Sequence, residues 1–242
     1  MALHFLTPDA GAATAGDIVA LEGAEAKHAA VVRRVRVGET VTLGDGEGVW
    51  LEGVTTLATP ARVEVRVSER TVVAAARPRI TLVQALAKGD RDELAVQTAC
   101  ELGVDEIVPW QSARSVSRWE GAKADKGRER WQSITREASK QAHRAWLPVV
   151  TAPVTTAQLA ARAEETRMLL LDPAASARLS ALEPDERDLV LVVGPEGGIA
   201  PEEFTLLERA GAERVRLGDS VLRTSTAGPA AIAVLSVALG RW

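Results

Sequence analysis

The sequence is poor in the residues that build cross-linked or metal-bound cores. Its 242 residues include one cysteine, three histidines, two phenylalanines and no tyrosine. A single cysteine, Cys100, excludes an internal disulfide. The histidines, His4, His28 and His143, lie far apart, and none has the spacing to cysteine or histidine that zinc sites show. We therefore expect neither a disulfide scaffold nor a resident metal ion.

Long hydrophobic runs are missing as well, and we expect no leader segment. The longest mostly apolar stretch, residues 229–239, is well short of the roughly 20 residues that span a bilayer. The N-terminal MALHFLTPDAG has neither the basic nor the apolar region of a secretory signal. Hydrophobic residues make up 46% and charged residues 26% of the chain, which is a globular composition. We expect a cytoplasmic protein with no membrane partner.

Positive charge is scarce overall but concentrated in one segment. The formal net charge is −4, which argues against a uniformly basic nucleic-acid binder. Residues 111–146 nevertheless hold nine basic and four acidic residues, whereas residues 164–213 hold four and twelve. Four of the six tryptophans lie in or beside the basic segment: Trp110, Trp119, Trp131 and Trp146. This combination fits phosphate contacts with base stacking, and it equally fits a solvated helix whose tryptophans face the core.

Residues 1–72 have the pattern of a set of short strands. The segments DIVALEG, ETVTLGDGEGVWLEGVTTLA and ARVEVRVSER carry Val and Thr at a period of two and are broken by glycine turns. Between them, EAKHAAVVRRVRV predicts a short helix that leads into a strand. Strands at this spacing, without a long helix, favour a small β-barrel. VVAAARPRI, residues 72–80, is typical of a linker into a second domain.

From residue 80 the pattern alternates between strand and helix, which predicts an α/β domain over residues 73–242 with a mostly parallel sheet. ITLVQAL, DRDELAVQTACELG and VDEIVPW form a predicted βαβ unit, whose helix ends at Gly103. A long helix is expected at about 123–146, and PEEFTLLERA predicts a later helix ended by Gly211. The last helix, STAGPAAIAVLSVALG, is apolar almost all round, so we expect it to be buried in the core or against a second subunit.

Two loops follow strands of this second domain, at the edge of a parallel sheet where ligands usually bind. The first, VVGPEGGIAPEEF, has three glycines and the carboxylate of Glu196 but lacks the lysine of a phosphate loop. An acidic loop disfavours a polyphosphate and suits a neutral nucleoside, or one that bears a positive sulfonium. Equally, the glycines could serve only to make a tight turn between strand and helix.

The second loop, VRLGDSVLRTSTAGPAA, covers residues 215–231 and leads into the last helix. Ser225 or Thr226 is expected to cap that helix, and Pro229 is expected in its first turn, where a missing N–H costs nothing. Arg223 fits a surface ion pair or, between two ligand-facing loops, a residue that holds a substrate oxygen.

Four segments together carry a resemblance to a known family. QALAKGDRDELAVQTACELGVDEIVPWQSARSV, RWQSITREASKQAHR, LVVGPEGGIAPEEF and LGDSVLRTSTA resemble the RsmE family of ribosomal RNA methyltransferases, in the SPOUT superfamily, and the likeness covers nearly the whole chain. It implies a PUA-like RNA-binding β-barrel over residues 1–72 and a SPOUT methyltransferase domain with a deep trefoil knot over residues 73–242. It also implies a homodimer, S-adenosylmethionine as methyl donor, and N3 of one uracil in the 16S rRNA of the small ribosomal subunit as acceptor.

The resemblance also assigns roles to individual residues. Twelve residues would line the cofactor pocket: Leu171, Gly194, Glu196, Gly197, Gly198, Ile199, Leu217, Gly218, Leu222, Arg223, Thr224 and Ala227. The candidates for RNA contacts are Arg33, Arg34, Lys88, Arg91, Arg114, Arg118 and Arg144. The chain departs from the usual family pattern at Ser225, where a glutamate is common, and at residues 199–200, where Phe-Ser is common.

The expected chemistry is direct attack of uracil N3 on the sulfonium methyl group, which needs positioning but no protein nucleophile. Cys100, the only thiol, lies mid-helix beside apolar neighbours and is a poor candidate nucleophile. Arg223, Arg114 and Arg144 are the candidates for holding substrate oxygens or phosphate, whereas Glu196 is expected to shape its turn. The alternative function is a non-catalytic RNA-binding or ribosome-assembly factor. A dinucleotide enzyme is disfavoured because no G-x-G-x-x-G follows a strand.

Overall fold

The computed structural model describes residues 2–242, which divide into two compact units. The first unit runs to Ala75 and also includes Ser139–Leu147. The second comprises Ala76–Ala138 and Pro148–Trp242. The chain therefore leaves the first unit at Ala75 and returns to it for nine residues, 139–147. It then completes the second unit.

The first unit is built on a five-stranded mixed sheet. Its strands are β1 (Leu3–Leu6), β2 (Ile18–Glu22), β3 (Thr40–Gly44), β4 (Val49–Ala58) and β5 (Arg62–Val72). They lie in the order β1-β3-β4-β5-β2, with β1 parallel to β3 and the other pairs antiparallel. Buried and exposed positions alternate along much of β4 and β5, so that one face packs on a core that includes Phe5 and Leu51. The predicted strand-rich N-terminal architecture is confirmed.

The predicted short helix lies between β2 and β3. It begins as α1 (Gly23–Lys27) and widens into a π-helical turn over His28–Val32. Arg34 then takes the left-handed conformation, with φ of 58°, and the chain turns toward β3. The exposed side chains of Arg33 and Arg34 therefore lie on the surface of this unit.

The returning segment 139–147 is tied to the first unit by backbone and side-chain hydrogen bonds. Leu147 N–H donates to Gly46 O at 2.9 Å, and Trp146 Nε1 donates to Val73 O at 2.8 Å. Lys140, although only 7% exposed, lies 3.3 Å from a carboxylate oxygen of Glu25. This buried ion pair gives the charge of Lys140 a partner inside the unit.

The second unit is built on a six-stranded sheet that is parallel throughout. Its strands are β6 (Ile80–Ala85), β7 (Glu106–Trp110), β8 (Val149–Val150), β9 (Arg167–Leu171), β10 (Leu189–Val193) and β11 (Glu213–Val215). The order is β11-β9-β10-β6-β7-β8. The central strands β6 and β10 are buried at every position, as expected for a sheet covered on both faces. The predicted α/β architecture with a parallel sheet is confirmed.

Five helices cover this sheet: α2 (Arg91–Glu101), α3 (Ala122–Gln141), α4 (Thr156–Arg162), α5 (Pro201–Arg209) and α6 (Thr224–Ala238). The predicted βαβ unit is confirmed as β6-α2-β7, with Gly103 at φ 94° after the helix. Gly211, at φ 101°, follows α5 in the same way. No helix within residues 2–242 is both long and apolar enough to cross a membrane.

The start of α6 differs from the sequence prediction. The helix begins at Thr224, so Arg223, rather than Ser225 or Thr226, occupies the capping position. Pro229 is the sixth helical residue and lies beyond the first turn. The reason is that the Thr226 and Ala227 N–H groups already donate to Arg223 O, which starts the helix two or three residues early. The core of the unit covers only part of the helix, since Ile232 is fully buried whereas 63% of Val237 is exposed, and burial against a second subunit stays a prediction.

Candidate functional site

A cavity of about 470 Å³ opens at the carboxyl ends of β9, β10 and β11 in the second unit. Ligands of open α/β sheets bind outside the carboxyl ends of the strands, which is where this cavity lies. Eleven of the twelve predicted cofactor residues line the cavity: Leu171, Gly194, Glu196, Gly198, Ile199, Leu217, Gly218, Leu222, Arg223, Thr224 and Ala227. Residues separated by more than fifty positions in the sequence are thus brought together.

One wall of the cavity is the glycine loop, residues 194–200, between β10 and α5. Gly194 is needed for close packing, because an added Cβ would lie 2.8 Å from Ile199 Cγ1 and 3.1 Å from Ile199 N. Gly198 has φ of 71°, a conformation that side chains rarely adopt, and its N–H donates to Pro195 O at 2.9 Å. Gly197, the one predicted residue outside the lining, lies against Arg114 instead.

Glu196 lines the cavity and also joins the glycine loop to the loop before α2. Its Oε1 accepts a hydrogen bond from Lys88 N–H at 3.1 Å and one from Arg91 at 2.9 Å. Partial burial raises the pKa of Glu196, but hydrogen bonds from its own N–H, from Lys88 and from Arg91 outweigh burial, so the pKa lies below its ordinary value. The carboxylate is therefore ionised and shapes the loop while its residue still lines the cavity.

Glu203, which the sequence did not predict as a site residue, holds the other end of the glycine loop. It is 5% exposed and lies in the first turn of α5. Its carboxylate accepts hydrogen bonds from Ala113 N–H at 2.8 Å, from Thr156 Oγ1 at 2.7 Å and from Ala200 N–H at 3.2 Å. Its place in the first turn of a helix was a visible signal, but its two distant donors depend on the tertiary fold.

The opposite wall is the arginine loop, residues 216–223, between β11 and α6. At its end, Thr224 Oγ1 donates to Gly194 O at 2.8 Å and so joins the two walls. Thr224 Oγ1 also accepts from Nε2 of Gln84, a fully buried residue at the end of β6. Gln84 was not predicted to matter, because the bond spans 140 positions of sequence.

Further lining residues supply a charged and aromatic edge that was not predicted. Asp172 and Phe204 line the cavity, and Arg214 stacks on Phe204 with its Cζ 4.0 Å from the ring centroid. Arg214 also pairs with Glu208 at 2.8 Å and with Asp172 at 3.5 Å. Arg216 lines the cavity and pairs with the exposed Asp219 at 2.7 Å.

The three predicted catalytic arginines have different positions. Arg223 is exposed and lines the cavity. Arg114 is exposed and donates to Gly197 O at 3.0 Å, so it lies beside the glycine loop but not in the lining. Arg144 belongs to the first unit and does not line this cavity. Among the RNA-contact candidates of the second unit, Lys88, Arg91 and Arg118 are exposed.

The tryptophans of the basic segment were predicted either to stack on bases or to face the core. Trp110 and Trp131 are buried, at 0% and 1% exposure, and serve the core of the second unit. Trp119 is half-buried. The interpretation of core-facing tryptophans therefore holds for two of them. Within residues 2–242, no cluster of three or more His, Cys, Asp or Glu side chains has the geometry to hold a metal ion.

The chemistry of the cavity suits a nucleoside-like ligand without a polyphosphate. Its walls combine apolar side chains such as Leu171 and Ile199 with glycine backbone and with carboxylates that are each paired to an arginine. Such a lining offers backbone hydrogen bonds, apolar contacts for a ring and two carboxylates held in place by arginines.

The fold and the site define the class of protein as an RNA methyltransferase. The family described as RNA methyltransferase domain matches residues 75–236. Ribosomal RNA small subunit methyltransferase E from Mycobacterium bovis is 42% identical over 97% of this chain and 90% of its own length.

Solved structures of similar proteins support the same class. Ribosomal RNA small subunit methyltransferase E from Neisseria gonorrhoeae, bound to S-adenosyl methionine, superposes with a TM-score of 0.87 at 30% identity, over 98% of both chains. A Legionella pneumophila structure in complex with the bound cofactor SAM superposes with a TM-score of 0.88 at 32% identity, also over 98% of both chains. The chain belongs to the RsmE family of ribosomal RNA methyltransferases, as its motifs predicted.

Proposed function

We propose that this protein transfers a methyl group from S-adenosylmethionine to N3 of one uridine in 16S rRNA. The observation that carries the proposal is the assembly of the G-P-E-G-G and L-G-x-x-x-L-R-T segments into one cavity of about 470 Å³. Two relatives with the same fold are bound to this cofactor, and the relatives by sequence act on small-subunit ribosomal RNA. Both facts support the cofactor and the class of substrate.

The residues that line the cavity fit this cofactor. Bound there, S-adenosylmethionine supplies an electrophilic methyl group on a positive sulfonium. The carboxylates of Glu196 and Asp172 line the cavity and can face that cation, although each is also paired to an arginine. The glycine loop offers backbone polar groups, and Leu171, Ile199 and Leu217 offer apolar contact for an adenine ring.

On the acceptor side, the chain's own residues have to orient the uracil and stabilise charge on its ring oxygens as N3 loses its proton. Arg223 is the candidate for this task, since it is exposed at the rim of the cavity. Arg114 supports the glycine loop through Gly197 O and leaves its remaining donors for the substrate. A covalent route through Cys100 is disfavoured because that thiol is buried and hydrogen-bonded to Thr135 O.

The proposal includes the organisation implied by the family. Residues 1–72 form a PUA-like RNA-binding domain, residues 73–242 a SPOUT domain with a trefoil knot, and two copies a homodimer in the cytoplasm. The exposed arginines Arg33 and Arg34 would supply phosphate contacts from the first domain, and Lys88, Arg91, Arg114, Arg118 and Arg144 from the rest of the chain.

Mapping of modified uridines in 16S rRNA by mass spectrometry tests the function. Cells that lack the protein should lose a single N3-methyluridine, and the purified protein with S-adenosylmethionine should restore it on their small subunits. Retention of every N3-methyluridine would contradict the proposal. RNA binding without methyl transfer from labelled donor would favour a non-catalytic assembly factor instead.

A further inference from the structure

A second cavity, of about 350 Å³, lies in the same unit and shares no lining residue with the first. It is lined by the loop before α2, by residues 116–119 and by one face of α3. Its volume is at the lower end of the roughly 300–1,000 Å³ of ligand pockets, which leaves room for one nucleotide. Lys88 connects the two cavities, because it lines the second while its N–H donates to Glu196 of the first.

The aromatic wall of this second cavity is Trp119. Its indole lies so close to α3 that a Cβ added to Gly127 would be 2.5 Å from the ring. A glycine inside a helix costs roughly 1 kcal/mol relative to alanine, so its presence is explained by the need to seat this ring. Trp119 also meets the buried Trp131 edge to face, with centroids 5.0 Å apart, yet it stays partly exposed and lines the cavity.

The segment that carries Trp119 is fixed from two sides. Gln111 holds it with both ends of its amide, since Nε2 donates to Ser117 O at 3.1 Å and Oε1 accepts from Trp119 N–H at 3.1 Å. Earlier in the segment, Arg114 donates to Gly197 O of the glycine loop. The aromatic wall is thus preorganised and tied mechanically to the methyl-donor site.

The charges around the second cavity leave one cation available. Glu93 is engaged by Arg130 at 2.8 Å, and the buried Asp92 accepts hydrogen bonds from the N–H groups of Ala87 and Glu93. The Lys88 side chain is exposed and makes no ion pair within residues 2–242. An aromatic face beside a free ammonium is the combination that stacks a base and holds its phosphate.

We propose that the second cavity binds one nucleotide of the substrate RNA, with its base stacked on Trp119 and its phosphate held by Lys88. The nucleotide flanks the acceptor uridine, because the Arg91–Glu196 pair and the loop 87–91 separate this cavity from the methyl-donor site. By binding the flanking nucleotide, the second cavity positions the acceptor uridine. The proposal rests on the RNA substrate proposed above.

The probe is 5-fluorouridine 5′-monophosphate, followed by ¹⁹F NMR while it is titrated into protein saturated with S-adenosylhomocysteine, which fills the first cavity. The wild type should give a saturable shift. Trp119→Ala should weaken binding at least about fivefold, the lower range measured for base–aromatic stacking, and Trp119→Phe should retain most of it. Lys88→Ala should weaken binding and flatten its salt dependence. Trp242→Ala is the matched control, since Trp242 is 63% exposed and lines neither cavity.

Equal affinity in the wild type and in both Trp119→Ala and Lys88→Ala would overturn the proposal, as would a shift that does not saturate. Lys88→Ala covers the case in which Trp119→Ala fails to fold, because Lys88 is exposed. Calorimetric titration of S-adenosylmethionine into the same variants, prepared without S-adenosylhomocysteine, reports on the methyl-donor site separately. Donor binding without nucleotide binding would refute this pocket and leave the proposed function standing.

Discussion

Thr224 donates a hydrogen bond to the carbonyl oxygen of Gly194 at 2.8 Å, across the mouth of the first cavity. The same hydroxyl accepts from Nε2 of Gln84 at 2.9 Å. Gln84 and Thr224 are 0% and 7% exposed, so both bonds are shielded from water. One hydroxyl therefore sets the spacing between the glycine loop, the start of α6 and the end of β6.

Removing that hydroxyl should weaken cofactor binding. Thr224→Val keeps the shape of the side chain but leaves the Gln84 amide and the Gly194 carbonyl without this partner, at a cost of roughly 1–3 kcal/mol for a buried unsatisfied group. We expect the Kd for S-adenosylmethionine to rise about tenfold by calorimetry. Thr224→Ser should restore most of the affinity. Wild-type affinity in Thr224→Val would show that the bond does not set the cavity.

Two glycines of the glycine loop should respond differently to the same added methyl group. Gly194→Ala places its Cβ 2.8 Å from Ile199 Cγ1, so the glycine loop has to shift and cofactor binding should fall by about tenfold or more. Gly197→Ala is the control, because Gly197 lies in the same loop but outside the lining, and its added Cβ would be in ordinary contact at 3.5 Å from Arg114 Cβ. Calorimetry on both variants checks this pair. Equal losses would point to backbone stiffness rather than to the clash.

The role of Glu196 can be separated into charge and shape. Glu196→Gln keeps an oxygen for Lys88 N–H and loses only the ion pair with the half-exposed Arg91, and such pairs contribute about 0–1 kcal/mol. Its cofactor Kd should stay within about fivefold of wild type, whereas Glu196→Ala should raise the Kd further by freeing both loops. If Glu196→Gln binds as poorly as Glu196→Ala, the carboxylate acts directly on the cationic ligand.

His4 should make the first unit sensitive to acid. Burial, together with the charges of His143 and Lys140, lowers the pKa of His4 from 6.5 to about 4. Between these values the unfolded chain binds a proton that the folded chain does not. The free energy of unfolding therefore rises with pH between about pH 4 and pH 6.5, and His4 causes no further change above pH 6.5. The slope due to His4 is at most about 1.4 kcal/mol per pH unit.

Denaturation curves across this pH range should show a smaller loss of stability in His4→Gln than in wild type. An NMR titration of the imidazole ring gives the pKa directly. A value near that of a free histidine would contradict the burial argument, since His4 is 6% exposed and stacked on Trp50 with centroids 4.2 Å apart.

The sequence pattern predicted much of this architecture because periodicity reports local burial. The strand-rich start, the β6-α2-β7 unit and the glycine stops after α2 and α5 are all readable from neighbouring residues. The predicted cap of α6 was wrong by two or three residues, since Arg223 caps the helix and Thr224, expected to lie before it, is its first residue.

Other features depend on contacts between distant segments and carry no local signal. Gln84 looks like one polar residue in a buried strand until the fold brings it to Thr224. Glu203 looks like an ordinary first-turn glutamate until Thr156 and Ala113 reach it. The return of residues 139–147 to the first unit was also invisible, because a long helix pattern does not reveal where its last turn is anchored.

The two walls of the first cavity differ in how firmly they are held. The glycine loop is held at Gly194 by Thr224 and at Ala200 by Glu203, with three further hydrogen bonds between them. The arginine loop has Asp219 and Val221 largely exposed, at 83% of the side chain and 78% of the residue. Segments with few buried contacts open most easily. We therefore expect the arginine loop to open when the cofactor enters and leaves, so that its motion sets the residence time of the cofactor. The glycine loop keeps its conformation and sets the shape of the cavity.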